Sequence, residues 1–101
     1  MTDSATTRTI APEGELDLFS VRGLAQQLSA AVGDITHDPV VNLTGVTFMD
    51  STALGVLAKA NEQLRRQGRS LALVLAPGQV SDLLDLTGLR DRFSVFSPVA
   101  R

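Results

Sequence analysis

The chain has 101 residues, 44% of them hydrophobic and 20% charged, a composition of globular rather than disordered proteins and a length that suits one domain with its own core. It contains no cysteine, which excludes disulfides and thiol chemistry and fits a reducing cytosol. A formal net charge of -2 and a pI near 5.1 supply no basic field to draw in nucleic acid.

Residues 1–6 are polar and read as a flexible N-terminus, with the domain proper over 7–101. The segment up to Arg8 lacks the apolar core of a signal peptide. Thr7 to Ile10 suits a short strand that Pro12 ends or confines to an edge. Gly14-Glu15-Leu16-Asp17 follows as a strand end or turn. From Ser20 the residues Val21, Leu24, Ala25, Leu28, Ala31 and Val32 share one helical face, and Gly33 suits the C-cap. Asp34 to Asp38 is a loop that holds His37, the sole histidine, and Pro39 marks entry into a strand over Val40 to Thr44.

The next segment, Val46-Thr47-Phe48-Met49-Asp50-Ser51-Thr52-Ala53-Leu54-Gly55, is the most informative. A strand ends in it and a helix begins, because Ala53, Val56, Leu57, Ala60 and Leu64 fall at helical spacing as far as about Gln67. Gly68 stops that helix. Asp50-Ser51-Thr52 therefore lies where the first helical N–H groups lack intrahelical partners, and either Asp50 or Ser51 can cap them. The positive end of the helix dipole favours negative charge at the same place, so a phosphate on Ser51 would meet a favourable local field. The plainer reading makes Asp50 and Ser51 caps and nothing more.

Leu71 to Leu75 is continuously apolar, the pattern of a central strand covered on both faces, and far too short to span a membrane. Pro77-Gly78 closes it. Val80, Leu83, Leu84 and Leu86 suit a short third helix with Gly88 as its C-cap, and Phe93 to Phe96 a last strand. Strands alternating with helices imply mainly parallel strands joined by right-handed crossovers. The expected fold is α/β: a mixed, mostly parallel sheet of four or five strands with about three helices packed on it. Leu16, Val46, Phe48, Leu57 and Leu73 are expected in its core. Glu15, Lys59, Glu62 and Arg66 are expected on a solvated face, and Arg65, Arg66 and Arg69 complement the dipole at the end of the second helix.

Enzymatic readings find little support. Met49-Asp50-Ser51-Thr52-Ala53 lacks the flanking glycines of a nucleophile elbow, and nothing directs His37 toward Ser51. No metal-ligand cluster and no glycine-rich phosphate loop is present, so no cofactor is expected.

Three stretches in register, Gly14-Glu15-Leu16-Asp17, Val41 through Gly55, and Leu86-Thr87-Gly88-Leu89, resemble the STAS family, in its branch of anti-sigma factor antagonists. The resemblance runs from Gly14 over nearly the whole chain. It implies a binding protein that holds an anti-sigma factor of the histidine-kinase-type ATPase class, itself a serine kinase, and so frees a sigma factor. It also implies that phosphorylation at the start of the second helix, carried over to Ser51, switches the protein off, and that a serine phosphatase resets it. Thr52 offers a second hydroxyl beside Ser51. Asp17 and Asp50 match acidic positions of the pattern, and Asp17, Asp50, Ser51, Thr52 and Leu54 are expected at the contact surface. The partner would be a cytoplasmic protein, with no membrane and no nucleic acid involved. The same family also implies an alternative, an unphosphorylated scaffold such as a stressosome component or an accessory subunit of a lipid-transport ATPase. The chain departs from the pattern at Ala53, where a glycine is usual, and at Asn42, where many members have aspartate. The family's usual last helix is missing after Ser97, which leaves an edge for the third helix and last strand, or another chain, to cover.

Overall fold

Leu and Val residues at alternate positions of two strands, Val41 and Leu73, are fully buried and face each other in register at the centre of a four-stranded sheet. A computed structural model describes residues 7–98 of the chain; the expected flexible segment 1–6 lies outside them. The strands and helices follow in the order β1 (Thr7–Ile10), β2 (Gly14–Leu16), α1 (Arg22–Gly33), β3 (Asp38–Asn42), β4 (Val46–Met49), α2 (Ser51–Arg65), β5 (Ala72–Val74), α3 (Gln79–Thr87) and β6 (Ser94–Phe96), with a 3-10 turn at Arg90–Arg92.

The main sheet has the order β1-β3-β5-β6 with every pair parallel, and β2 and β4 form a separate parallel pair. The α/β fold is thus as expected, except that the described residues form six strands rather than four or five, that they divide into two sheets, and that every pair is parallel. Helices α1 and α2 pack on each other and α1 covers β1 and β3, whereas α3 packs on β4. Leu24, Leu28 and Ala31 of α1 and Ala53, Leu54, Leu57, Ala60 and Leu64 of α2 bury the apolar stripes against Ile10, Val41, Leu71 and Leu73. Each such leucine contributes about 1.5–3 kcal/mol of transfer free energy.

Several boundaries differ from the sequence reading. Helix α1 begins at Arg22 rather than Ser20, because residues 17–20 close a turn of their own. Gly33 is its last helical residue, and Asp34 is the cap. Strand β5 is not fully buried on both faces: Leu73 is buried while Ala72 and Val74 are half-buried. Phe48, expected in the core, is exposed. Its strand pairs Gly14 with Val46 but Glu15 with Phe48, so Thr47 is an extra residue, and this bulge turns Phe48 outward while Met49 returns to the core.

The helix stops behave as their glycines suggest. Gly88 takes φ 71° as the C-cap of α3, with Leu89 N–H donating to Leu84 O at 3.1 Å, and Gly68 takes φ 74° after α2. Arg69 then reaches back across the molecule. Its guanidinium donates to the carbonyls of Asp34, at 3.0 Å, and His37, tying the end of α2 to the loop after α1.

Asn61 is the buried polar side chain of α2. It accepts from Leu71 N–H at 2.8 Å and donates to Arg92 O at 2.6 Å, so both its groups are satisfied. No helix among the described residues is long and apolar enough to cross a membrane.

Candidate functional site

Asp50 is the N-cap of α2, in extended conformation, and its Oδ1 accepts from Ala53 N–H at 3.0 Å. The other carboxylate oxygen, Oδ2, accepts from Leu18 N–H at 3.2 Å. The Asp50 backbone N–H donates to Leu16 O at 3.1 Å. One residue therefore joins the start of α2 to the turn between β2 and α1.

Asp17 organises that turn. Its Oδ1 accepts from Phe19 N–H at 2.9 Å and from Ser20 N–H at 3.0 Å. The Ser20 hydroxyl accepts from Asp17 N–H at 3.0 Å and has one proton to offer to Glu15 O at 2.7 Å or Asp17 Oδ1 at 3.1 Å. Hydrogen bonding by the Ser20 side chain, followed by that from Phe19 N–H, holds the Asp17 carboxyl below its ordinary pKa. Asp17 is thus an ionised turn-former close to Asp50.

Ser51 is the first helical residue of α2 and is exposed, as is Thr52. Their N–H groups belong to the first turn, where no intrahelical acceptor exists. Ala53 is fully buried, so its methyl group lies in the core and leaves the Ser51 surface unobstructed. Leu54 corrects the sequence reading. It is 2% exposed and packs in the core, so its side chain is not available to a partner. The stripe Leu54, Leu57, Leu64 falls at three- and seven-residue spacing, and that spacing in the sequence already assigns Leu54 to the core side.

The site carries residues that sequence reasoning missed. Gln79, the first residue of α3, brackets Met49 with its amide: Met49 N–H donates to Oε1 and Nε2 donates to Met49 O, both at 2.8 Å. Leu18 and Phe19 stand out from the turn that Asp17 and Asp50 hold, at 64% and 91% exposure. Ser20 has its hydroxyl inside that turn. Their pairings span up to 32 residues, so no local pattern announces them.

Ser51 lines neither of two open clefts on the surface. One cleft of about 700 Å³ is bounded by Arg65, Arg69 and Phe96, and another of about 580 Å³ lies between Pro77, Ser81 and Phe93. A hydroxyl on an open surface at a helix start suits contact with another macromolecule better than enclosed chemistry. Among the described residues no group of three His, Asp or Glu side chains could hold a metal ion.

The parallel sheets and the helices packed on them define an α/β domain, and the sequence model of the STAS domain matches residues 2–101: the chain belongs to the STAS domain family. It is 35% identical over 82 residues to an anti-sigma-B factor antagonist of Staphylococcus epidermidis, covering 81% of this chain and 76% of that protein. A solved anti-sigma factor antagonist from Mycobacterium paratuberculosis has a TM-score of 0.83 at 26% identity, over 94% of this chain and 80% of that one. The anti-sigma factor antagonist SpoIIAA in its unphosphorylated form gives a TM-score of 0.70 at 18% identity, over 100% of this chain and 86% of that one, a likeness of fold.

Proposed function

We propose that this protein is an anti-sigma factor antagonist switched off by phosphorylation of Ser51. It binds an anti-sigma factor that is a serine kinase of the histidine-kinase ATPase type, thereby releasing a sigma factor in the cytoplasm, and a serine phosphatase restores it. It acts by binding, with no chemistry and no cofactor of its own. The names of its relatives support the antagonist role. The observation that carries the switch is the exposed Ser51 hydroxyl at the first position of α2, directly after the Asp50 cap.

The electrostatics fit such a switch. A phosphate adds about -1.5 to -2 charges and three acceptor oxygens. The first-turn N–H groups of α2 favour it, so the fold persists. At a docked interface the same dianion, beside the carboxylate of Asp50, brings repulsion and a desolvation cost. A loss of about 3 kcal/mol weakens binding more than a hundredfold. Thr52 is the second candidate acceptor, one residue deeper in the helix and also exposed.

The test is a pull-down from source-cell lysate with wild type, Ser51→Ala and Ser51→Glu as parallel baits, with partners and phosphosites read by mass spectrometry. A kinase-type anti-sigma factor held by the first two and lost by Ser51→Glu is the expected result. Equal capture by all three, with no phosphate on Ser51, overturns the switch and favours a constitutive scaffold.

A further inference from the structure

Six large apolar side chains stand exposed among the described residues, and three of them, Leu18, Phe19 and Phe48, lie within two residues of Asp17 or Asp50. Phe19 is the most exposed of all at 91%, so the fold gains almost nothing from its side chain. Its backbone, by contrast, is held on both sides. Phe19 N–H is bonded to Asp17, and Leu18 N–H to the same Asp50 carboxylate that caps α2. The turn and the Ser51 helix start are therefore parts of one fixed unit.

We infer that Leu18 and Phe19 form a preset docking knob with Phe19 as its anchor, and that its occupant is the anti-sigma factor, through an apolar pocket. The inference rests on the function proposed above. Phe19 has only two side-chain torsions to immobilise and stands on a backbone already ordered, so little freedom is lost when a partner buries it. Aromatic side chains in this situation are the ones that dominate interface energetics. Continuity argues for a single partner: a surface that grips the Ser51 helix start meets the turn bonded to Asp50. Ile35, 76% exposed at the other end of α1, lacks any such link and is the natural control.

The experiment titrates the purified anti-sigma factor identified by the pull-down into wild type, Phe19→Ala, Leu18→Ala and Ile35→Ala by calorimetry. Phe19→Ala is expected to raise Kd about thirtyfold or more, Leu18→Ala several-fold, and Ile35→Ala by less than about twofold. Thermal midpoints should be unchanged for Phe19→Ala, since the side chain is out of the core. Phe19→Ala binding like wild type, while Ser51→Glu loses binding, overturns the knob and leaves the function standing. Capture of no kinase-type anti-sigma factor by wild type removes the function and the knob together. Self-association of the wild type that Phe19→Ala abolishes, with anti-sigma affinity retained, assigns the knob to a second copy and overturns the inference.

Discussion

Gln79 and Met49 are bound to each other as two strand residues would be, although one of the pair is a side chain. The Gln79 amide accepts from Met49 N–H and donates to Met49 O, each at 2.8 Å, and so occupies both backbone groups of the residue before Asp50. Met49 is 1% exposed, so neither group has water as a substitute partner. Helix α3 thereby fixes the height at which β4 delivers Asp50 and Ser51. Gln79→Ala is expected to destabilise the fold by about 1–3 kcal/mol, the cost of stranded buried polar groups. Gln79→Glu keeps the acceptor but sets a carboxylate against Met49 O, and should lose most of the same energy. Urea unfolding at neutral pH checks both, and a Gln79→Ala midpoint equal to wild type would show that the bracket is idle.

Gly23 in α1 and Gly55 in α2 lack positive φ and stand where a Cβ meets nothing within 4 Å. Each replacement by alanine is expected to stabilise by up to about 1 kcal/mol, less for Gly23 in the first turn. That corresponds to a rise in thermal midpoint of about 4–8 °C per kcal/mol. Gly55 lies four residues after Ser51, one turn along the same helical face, where a missing side chain lets a docked backbone come close. Gly55→Ala should therefore raise stability yet weaken capture of the anti-sigma factor, whereas Gly23→Ala should only raise stability. Unchanged capture by Gly55→Ala would place the docked surface off this face.

The start of α2 was legible in the sequence because its evidence is local: an apolar strand, a capping triplet and a helical stripe in immediate succession. The same locality misled at Ser20. The apolar spacing starts the helix at Ser20, but the Ser20 hydroxyl serves Glu15 O and Asp17, and α1 opens two residues later with no side-chain cap. The alternation Val46-Phe48 points Phe48 inward only in an unbroken strand, and a bulge is set by the partner strand. Asn61 and Gln79 read as ordinary polar residues of helices. Their worth comes from backbone groups 10 to 31 residues away, which only the tertiary structure assembles.

Acid should attack the loop after α1. The Asp34 carboxyl is held down to about 2, chiefly by the Thr36 hydroxyl, with Thr36 N–H and His37 adding to the effect against a desolvation that opposes it. Asp34 accepts from that hydroxyl at 2.6 Å and lies 2.9 Å from His37 Nδ1. Its folded pKa is below the ordinary value of 3.8, so between the two the unfolded chain binds more protons and stability rises with pH. The contribution is fully present above the unfolded value and is lost as pH falls through the folded one. Asp34→Ala should lower stability at neutral pH and flatten this acid limb in urea titrations. An unaltered limb would assign the acid sensitivity to other carboxylates, Asp17 among them.

The two oxygens of Asp50 do separate work, and this makes asparagine an unusually informative replacement. Asparagine is as good an N-cap as aspartate in general. Here Oδ1 accepts from Ala53 N–H and Oδ2 from Leu18 N–H, and asparagine has only one acceptor for the two. Its NH2 group would point at another donor. Asp50→Asn is therefore expected to keep the α2 cap and release the turn, whereas Asp50→Ala gives up both and costs about 1 kcal/mol for the cap alone. Amide hydrogen exchange resolves the difference by residue. Asp50→Asn should accelerate exchange at Leu18 with Ala53 nearly unchanged, and Asp50→Ala should accelerate both. If Leu18 stays protected in each variant, Asp17 alone holds the turn, and the rigid coupling between the exposed Phe19 and Ser51 is lost from the account.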